Sequence, residues 1–493
     1  MERKYKIVFN SVLLLIIVLN IYLYFNLNDY VANRISTPGV IDHRWTFVAE
    51  TWYSSGIYSN GAKDDEGNYI PTFSVTPLYP LLYRISYFLF GKKKMPYSNE
   101  YEGLSYEFMR GFIAFLNFLI MIIIYKTAVI FDKKVGLLCI LLCAINIDSY
   151  KIASNYGTPD TALAFFITLS FYYLIKFLVL NHNKINLILF SVMLNFAALT
   201  KYTSHLVWIP LICFLIIYLS CNKNINAKNK IIYLVIFIGI NCILQGGWMA
   251  RNYYVCGTWK FTSHKAPLHL VSYLIAHNEK TNYTKTYRSL NKKVQDDKRF
   301  KNRSEGNKSV YVDSLAKDII LSHPIQFAYL TISRSFSYLL NTKKPGYMLY
   351  NNNDILVISD IYKRYKINHK KSFIPVTIGI VPILWRNGYY SFVVLNLTIK
   401  IIISIVMIFF LYGIYVIYKE DRPWSNWVIV CSLIYILYFC FVCGLTVNAR
   451  LRAPIMAIIY FISSYGIIHC FLLFMKLKFY STYSSLKNLR SAL

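Results

Sequence analysis

The chain has 493 residues, 56% hydrophobic and only 15% charged, with 53 Lys and Arg against 23 Asp and Glu and a formal net charge of +30. That composition excludes an ordinary soluble multidomain protein and points to a polytopic membrane protein. The basic excess does not mark a nucleic-acid binder, because many of the cations flank hydrophobic segments, where Lys and Arg fix topology.

The N-terminus places Arg3, Lys4 and Lys6 before an apolar run, Ile7–Phe25, with no small-residue cleavage site. It reads as an uncleaved first span with a cytoplasmic start. The interval 26–107 then lies outside. Within it, Asp42–Ser55 carries Trp45, Val48, Ala49 and Trp52 at helical spacing and is expected to be an amphipathic helix at the interface, stopped by Gly56. Leu78–Phe90 is apolar but too short to cross with ease. Further spans are expected at Phe108–Val129, Gly136–Ile147, Thr161–Leu180, Leu187–Leu199, Leu206–Leu219 and Ile231–Ala250.

Residues 251–371 form a long polar loop with its own helices at Val312–Ile320 and Pro324–Leu340, expected to fold as a small extracytoplasmic cap. Phe373–Trp385 reads as either a span or an interfacial segment. Spans at Ser391–Tyr418, Trp427–Leu445 and Ala453–Phe474 follow, then a basic tail with Lys476, Lys478, Lys487 and Arg490. The expected fold is therefore an all-α bundle of about 10–13 transmembrane helices with interfacial helices and a loop cap. It divides into a transmembrane module (1–250), a cap loop (251–371), C-terminal transmembrane helices (372–475) and a cytoplasmic tail (476–493). No internal repeat of fixed period is evident.

Of the ten cysteines, Cys139, Cys143, Cys213, Cys242, Cys431 and Cys470 fall inside hydrophobic segments and read as small buried hydrophobes, while Cys256 lies in the long loop. A disulfide framework is not expected.

The outer corners gather the chemistry: Asp42, Asp160, Lys201, His205, Arg251, His264, Arg334, Arg450 and Arg452. Asp42 has two readings, a general base or an N-cap for the helix beside it. Asp160, in Thr158–Pro159–Asp160, reads as a site carboxylate or as a first-turn residue favoured by the helix dipole. Lys201 and Arg251 stand at outer ends of apolar helices, where they either bind phosphate or snorkel. Arg450 and Arg452 form a second anion-binding candidate. His205, His264 and His323 lack metal-ligand spacing. The Asp64–Asp65 turn invites Mg²⁺ but also suits a solvated loop.

Seven stretches in order carry a family resemblance: Asp42–Ser59 with its Gly-x-Tyr, Thr76–Pro80 (TPLYP), Ser154–Phe166, Ala198–Pro210, Gly246–His264 with Trp-x-x-Arg-Asn, Ser322–Phe327, and Ala449–Ile455 (ARLRAPI). The chain resembles the GT-C glycosyltransferases, specifically the family of protein O-mannosyltransferases and the bacterial lipid A aminoarabinose transferase. The resemblance implies a polyprenyl-phosphate (in bacteria, undecaprenyl-phosphate) sugar donor and an inverting transfer to a glycan, lipid or protein acceptor on the outer face. By the resemblance, Asp42 and Asp160 would be the catalytic carboxylates. Lys201 and Arg251 would hold the donor phosphate, with Arg450 and Arg452 as further phosphate ligands. His43, Tyr79, His205, His264 and Arg334 would contact donor or acceptor. No metal ligand is assigned and no cofactor is required, although a divalent cation remains compatible with the chemistry. The setting it implies is the bacterial inner membrane, with the site on the periplasmic or extracellular face. A monomer is expected, working on cell-envelope material such as lipopolysaccharide or O-antigen. His43 stands beside Asp42 where a second carboxylate is common in the family, and Gly246–Gly247 replaces its proline. The competing readings are a transporter or flippase of a lipid-linked sugar, and a noncatalytic membrane scaffold.

Overall fold

The computed structural model describes residues 7, 10–18, 44–64, 66–91, 104–146, 158–262, 265–281, 283–296, 305–340, 390–420, 422–444 and 452–492. The described residues are almost entirely helical. Seven helical segments among them are long and apolar enough to cross a membrane, and Lys184–Thr200 is a shorter apolar helix. The first expected span is described only in part, and Phe373–Trp385 lies outside the described residues.

The chain opens with α1 (Arg44–Ser55), a two-stranded antiparallel hairpin of β1 (Ser59–Lys63) and β2 (Tyr69–Pro71), and α2 (Leu78–Phe90). The apolar side of α1 does not face lipid as expected. Trp45, Val48 and Ala49 pack with Tyr79, Tyr83 and Tyr87 of α2, spaced four residues apart, and with Met109 and Ile113. The opposite side of α2, with Leu81, Ile85, Phe88 and Leu89, stays exposed. At 13 residues α2 is about 20 Å long, too short for a 30 Å hydrocarbon core. That shape suits the membrane interface.

The bundle proper contains α3 (Leu104–Val129), α4 (Lys133–Ile145), α5 (Asp160–Lys176), α6 (Lys184–Thr200), α7 (Trp208–Cys221) and α8 (Ala227–Cys256). Asp132 caps α4 by accepting from the Lys134 and Val135 amides. α5 packs on both α3 and α6, and α6 packs on α8. The cap holds α9 (Lys265–Asn278), α10 (Tyr283–Asp296), α11 (Glu305–Ser322) and α12 (Pro324–Leu340). Finally α13 (Tyr390–Lys419), α14 (Ser425–Gly444) and α15 (Ala453–Ala492) close the bundle, α15 lying against α13, α4 and α5.

All ten cysteines are free. Cys139, Cys143 and Cys431 are buried as expected, but Cys213, Cys242 and Cys470 are exposed on the helix surfaces, and Cys256 ends α8 instead of lying in a loop. In a bilayer an exposed apolar side chain still avoids water, so hydropathy does not separate a lipid-facing cysteine from a core one.

Two contacts explain how the bundle holds together. A Cβ on Gly413 of α13 would lie 2.1 Å from the Ile462 carbonyl oxygen, and one on Gly466 of α15 would lie 2.3 Å from that of Phe409. Ser463 donates to the Val406 carbonyl at 2.9 Å across the same crossing. Small residues let the two backbones touch, as in other lipid-embedded helix pairs. Gly413→Leu is therefore expected to force the helices apart and cost about 1–3 kcal/mol. Thermal unfolding in detergent checks this, with Gly239→Ala, where no atom lies within 4 Å of the added carbon, expected to change little.

At the end of the bundle where Lys184 and Lys230 lie, a π-helical turn (Phe177–Asn181) leads into His182, whose φ of 49° is left-handed. The His182 ring stacks on Tyr218, and its Nε2 lies 2.5 Å from the Tyr218 hydroxyl and 3.2 Å from the Asn222 amide. An amide Nδ2 can only donate, so Nε2 accepts and the ring is neutral. Burial also lowers the His182 pKa from its ordinary value. A histidine with a depressed folded pKa binds fewer protons than the unfolded chain. Its stabilising contribution is present above about pH 6.5 and is lost as pH falls through the folded pKa. Melting temperature is expected to drop between pH 7.5 and 5.5, and to drop less in His182→Asn.

Candidate functional site

The site candidate is built on the antiparallel helices α5 and α6. Pro159 occupies the N-cap position of α5, and its carbonyl accepts the first helical bond from the Leu163 amide at 2.8 Å. This puts Asp160 in the first turn, where the helix dipole favours a negative charge. Lys201 is the C-cap of α6 with extended backbone (φ −152°), and its amide donates to the Ala197 carbonyl at 3.0 Å. A cation there meets the negative end of its own helix. Both dipoles thus favour the charges that face each other.

Lys201 Nζ donates to Asp160 Oδ1 at 2.5 Å, with the two side chains only 5% and 1% exposed. An ammonium has three donors, and Lys201 uses one of them among the described residues. Thr161, next to Asp160, and Thr203, two residues after Lys201, have buried hydroxyls without a hydrogen-bond partner among the described residues. Cys443, near the end of α14, is close enough to interact electrostatically with both members of the pair.

The corner after Lys201 is fixed from two sides. Tyr438 of α14 donates to the Thr203 carbonyl at 2.9 Å and accepts from the Leu206 amide at 3.2 Å. The His205 ring stacks on Phe261, with centroids 4.6 Å apart. The Phe261 carbonyl accepts from Trp248 Nε1 at 2.9 Å. Trp248 in turn is one wall of the Arg251 niche: the guanidinium lies 5.1 Å from the Trp248 ring and 5.2 Å from the Tyr58 ring. A continuous run of contacts therefore joins the Lys201 corner to Arg251.

Arg251 Nη1 donates to the Thr72 carbonyl at 2.8 Å and to Asn252 Oδ1 at 3.1 Å. Its Nε and Nη2 donate to no group among the described residues. Burial pushes the Tyr58 phenol well up, against the opposing pull of Arg251, so the ring stays neutral. Arg251 thus braces the loop before α2 while keeping part of its donor fork.

Asp42 and His43 lie outside the described residues, as do His264 and Arg450. The helix that follows Asp42 is described, and Trp45 belongs to the same buried cluster as Ala162, two residues after Asp160, with Trp248 packed against that cluster. Other elements place the remaining sequence-read residues. Tyr79 is fully buried against Tyr83, with centroids 5.5 Å apart. Arg452 is buried at the start of α15 and donates to the Leu339 carbonyl, where it meets the C-terminal end of α12. Arg334 of α12 lies 4.7 Å over the Tyr273 ring in the cap, and burial lowers its pKa from the ordinary value. Among the described residues no three His, Cys, Asp or Glu side chains gather to hold a metal ion.

Sequence reasoning missed the Tyr58–Arg251–Trp248 sandwich. Its signal was the Trp248-to-Arg251 spacing of one helical turn and the aromatic in Gly56-x-Tyr58. It also missed that Asp160 and Lys201, read separately, are partners.

Residues 103–248 match the family model described as dolichyl-phosphate-mannose-protein mannosyltransferase. Among solved structures, the oligosaccharyltransferase AglB from Archaeoglobus fulgidus, in complex with an inhibitory peptide and a dolichol-phosphate, aligns with TM-score 0.50 at 14% identity, over 96% of this chain and 51% of that chain. The chain has the GT-C glycosyltransferase fold. It spans about half the length of that archaeal enzyme. The apo form of the A. fulgidus oligosaccharyltransferase aligns equally, with TM-score 0.50 and 14% identity over 96% and 51% of the two chains. ArnT from Cupriavidus metallidurans bound to undecaprenyl phosphate aligns with TM-score 0.37 at 12% identity, over 90% of this chain and 77% of that one. No curated protein sequence matches significantly. The matched part of the chain contains Asp160 and Lys201 and ends at Trp248, three residues before Arg251, while Asp42 precedes it.

Proposed function

We propose that the protein is a membrane glycosyltransferase that moves a sugar from a polyprenyl-phosphate donor to a glycan or lipid acceptor on the outer face of a bacterial inner membrane. The observation that carries this reading is the Lys201 ammonium, buried and tied to Asp160 by a single hydrogen bond. A buried cation with unused donors is costly unless an anion completes its shell. A lipid phosphate at the membrane surface has that chemistry. The GT-C fold supports it, and so do the dolichol-phosphate recorded with AglB and the matched family's dolichyl-phosphate-mannose donor.

In this reading Asp42 takes the proton of the acceptor hydroxyl. The freed oxygen attacks C1 of the sugar, the C1–O bond to phosphate breaks, and polyprenyl phosphate leaves with the bonding pair. Attack opposite the leaving group inverts C1. Lys201 and the free edge of Arg251 neutralise the phosphate as its charge develops. Asp160 holds Lys201 in place. The short loops with Lys133, Lys184, Lys230 and Arg422 mark the cytoplasmic end, which leaves the Lys201 corner outside.

The test is to incubate the purified protein with a panel of polyprenyl-phosphate sugars and follow products by mass spectrometry. Discharge of one donor with a new glycoside supports the reading. Movement of a lipid-linked sugar across vesicles without bond cleavage would replace it with a flippase.

A further inference from the structure

One helix of the cap has two faces that do different work. On its inner face, α10 places Tyr283, Tyr287, Leu290 and Val294 one helical turn apart, the last three packed with Leu268, Val312 and Leu315. Tyr283 stacks on Tyr273 at 3.9 Å and 11°, and Tyr287 stacks on His269 at 4.3 Å and 2°. His269 Nδ1 also hydrogen-bonds the Tyr283 hydroxyl. Arg334 covers Tyr273 from the side of α12. The helix is thereby clamped in orientation by rings from two directions.

The outer face carries Lys285, Arg288, Lys292 and Lys293, all exposed. Among the described residues none of the four pairs with a carboxylate. Lys285, Arg288 and Lys292 follow each other at about one turn, roughly 5 Å along the axis. Among the described residues Ser289, Lys292, Lys293 and Asp296 line a groove of about 460 Å³ at the C-terminal end of this face. The surrounding segment is itself lopsided: residues 251–371 hold 22 Lys and Arg against 8 Asp and Glu. Those cations are not the ones that set topology, since short loops at the other end of the bundle serve that purpose and long loops count little toward it. The excess of cations over carboxylates carries a self-repulsion that a bound anion relieves.

We infer that the outer face of α10 is a docking surface for a polyanionic glycan, one bearing an anionic group on successive repeats, which it holds as the acceptor. A series of cations on a rigid helix meets such a chain in several contacts at once. The clamped orientation limits the ordering cost of binding. A lone phosphate or a neutral sugar gains little from the same face. The inference rests on the transferase reading only for the role as acceptor; the binding itself stands apart from turnover.

The full chain in nanodiscs of neutral phosphatidylcholine would be titrated with inorganic polyphosphate, polygalacturonate and neutral dextran over a range of salt. Both polyanions are expected to bind, and dextran not. The variant Lys285→Gln/Arg288→Gln/Lys292→Gln/Lys293→Gln is expected to bind both at least tenfold more weakly at about 0.15 M salt, with a shallower salt dependence. Lys285→Arg/Lys292→Arg/Lys293→Arg, with the charges kept, is expected to bind as the parent does. Unchanged polyanion binding in the Gln variant would overturn the inference. So would a loss confined to phosphatidylglycerol vesicles, which would make the face a lipid contact. A protein that binds the polyanions yet discharges no donor would remove the transferase reading and leave the docking surface in place.

Discussion

Asp160→Asn, with Lys201 left in place, is expected to destabilise the protein by about 3–5 kcal/mol, because it strands a buried ammonium without its counter-charge. Lys201→Met alone should cost a similar amount by stranding the carboxylate. The double variant Asp160→Asn/Lys201→Met removes both charges and is expected to recover most of that loss, since a buried pair replaced by neutral groups is often neutral in stability. Thermal unfolding in detergent reads all three. The double variant then separates the two roles of the pair. If Lys201 serves only to join α5 to α6, the refolded double variant retains polyprenyl-phosphate binding. If it also neutralises phosphate, binding falls although the fold is restored, and that is the outcome expected here.

Asp42→Asn is expected to lower transfer by about 10²–10⁴-fold, the ordinary contribution of a positioned general base. Asparagine caps a helix about as well as aspartate, so the capping reading of Asp42 predicts no such loss and an unchanged melting temperature. Comparing kcat with donor affinity in this one variant decides between base and cap. Retained donor binding with lost turnover is the expected pattern.

Much of the architecture was legible because lipid imposes a simple code. A run of apolar residues long enough to cross the hydrocarbon has few alternatives to a helix. Leu78–Phe90 and Pro324–Leu340 have the bounds that the sequence indicated. The ends were less legible where a helix continues into polar sequence. α8 begins four residues before Ile231 and ends six after Ala250, because Ala227–Lys230 stays helical beyond the apolar run and Arg251–Cys256 is held against the loop before α2. Hydropathy records what touches lipid, not where hydrogen bonding stops.

The cap was the least legible part. α10 is mostly polar, with three Lys and one Arg, and reads as loop, although Tyr283, Tyr287, Leu290 and Val294 carry a helical period. Of the hairpin of β1 and β2 only the turn between the strands is legible in the sequence, because the strands are only five and three residues long. At the site, residue types were readable but partnerships were not. Asp160 and Lys201 are 41 positions apart, and Arg251 reaches Thr72 across 179. Their meeting depends on how α5, α6 and α8 pack. The one usable hint was that α5 and α6 are joined by a short turn, which sets the start of one beside the end of the other. Arg452 shows the converse: it stands in a motif that suggests phosphate, yet one of its donors meets the end of α12.

The most direct measurement is an experimental structure of the full chain with a polyprenyl phosphate bound. The phosphate oxygens are expected within hydrogen-bond distance of Lys201 or Arg251, with the Asp42 carboxylate facing the same hollow. A phosphate bound instead at the His182 end of the bundle, or an Asp42 carboxylate turned away from the Lys201 corner, would contradict the proposed site.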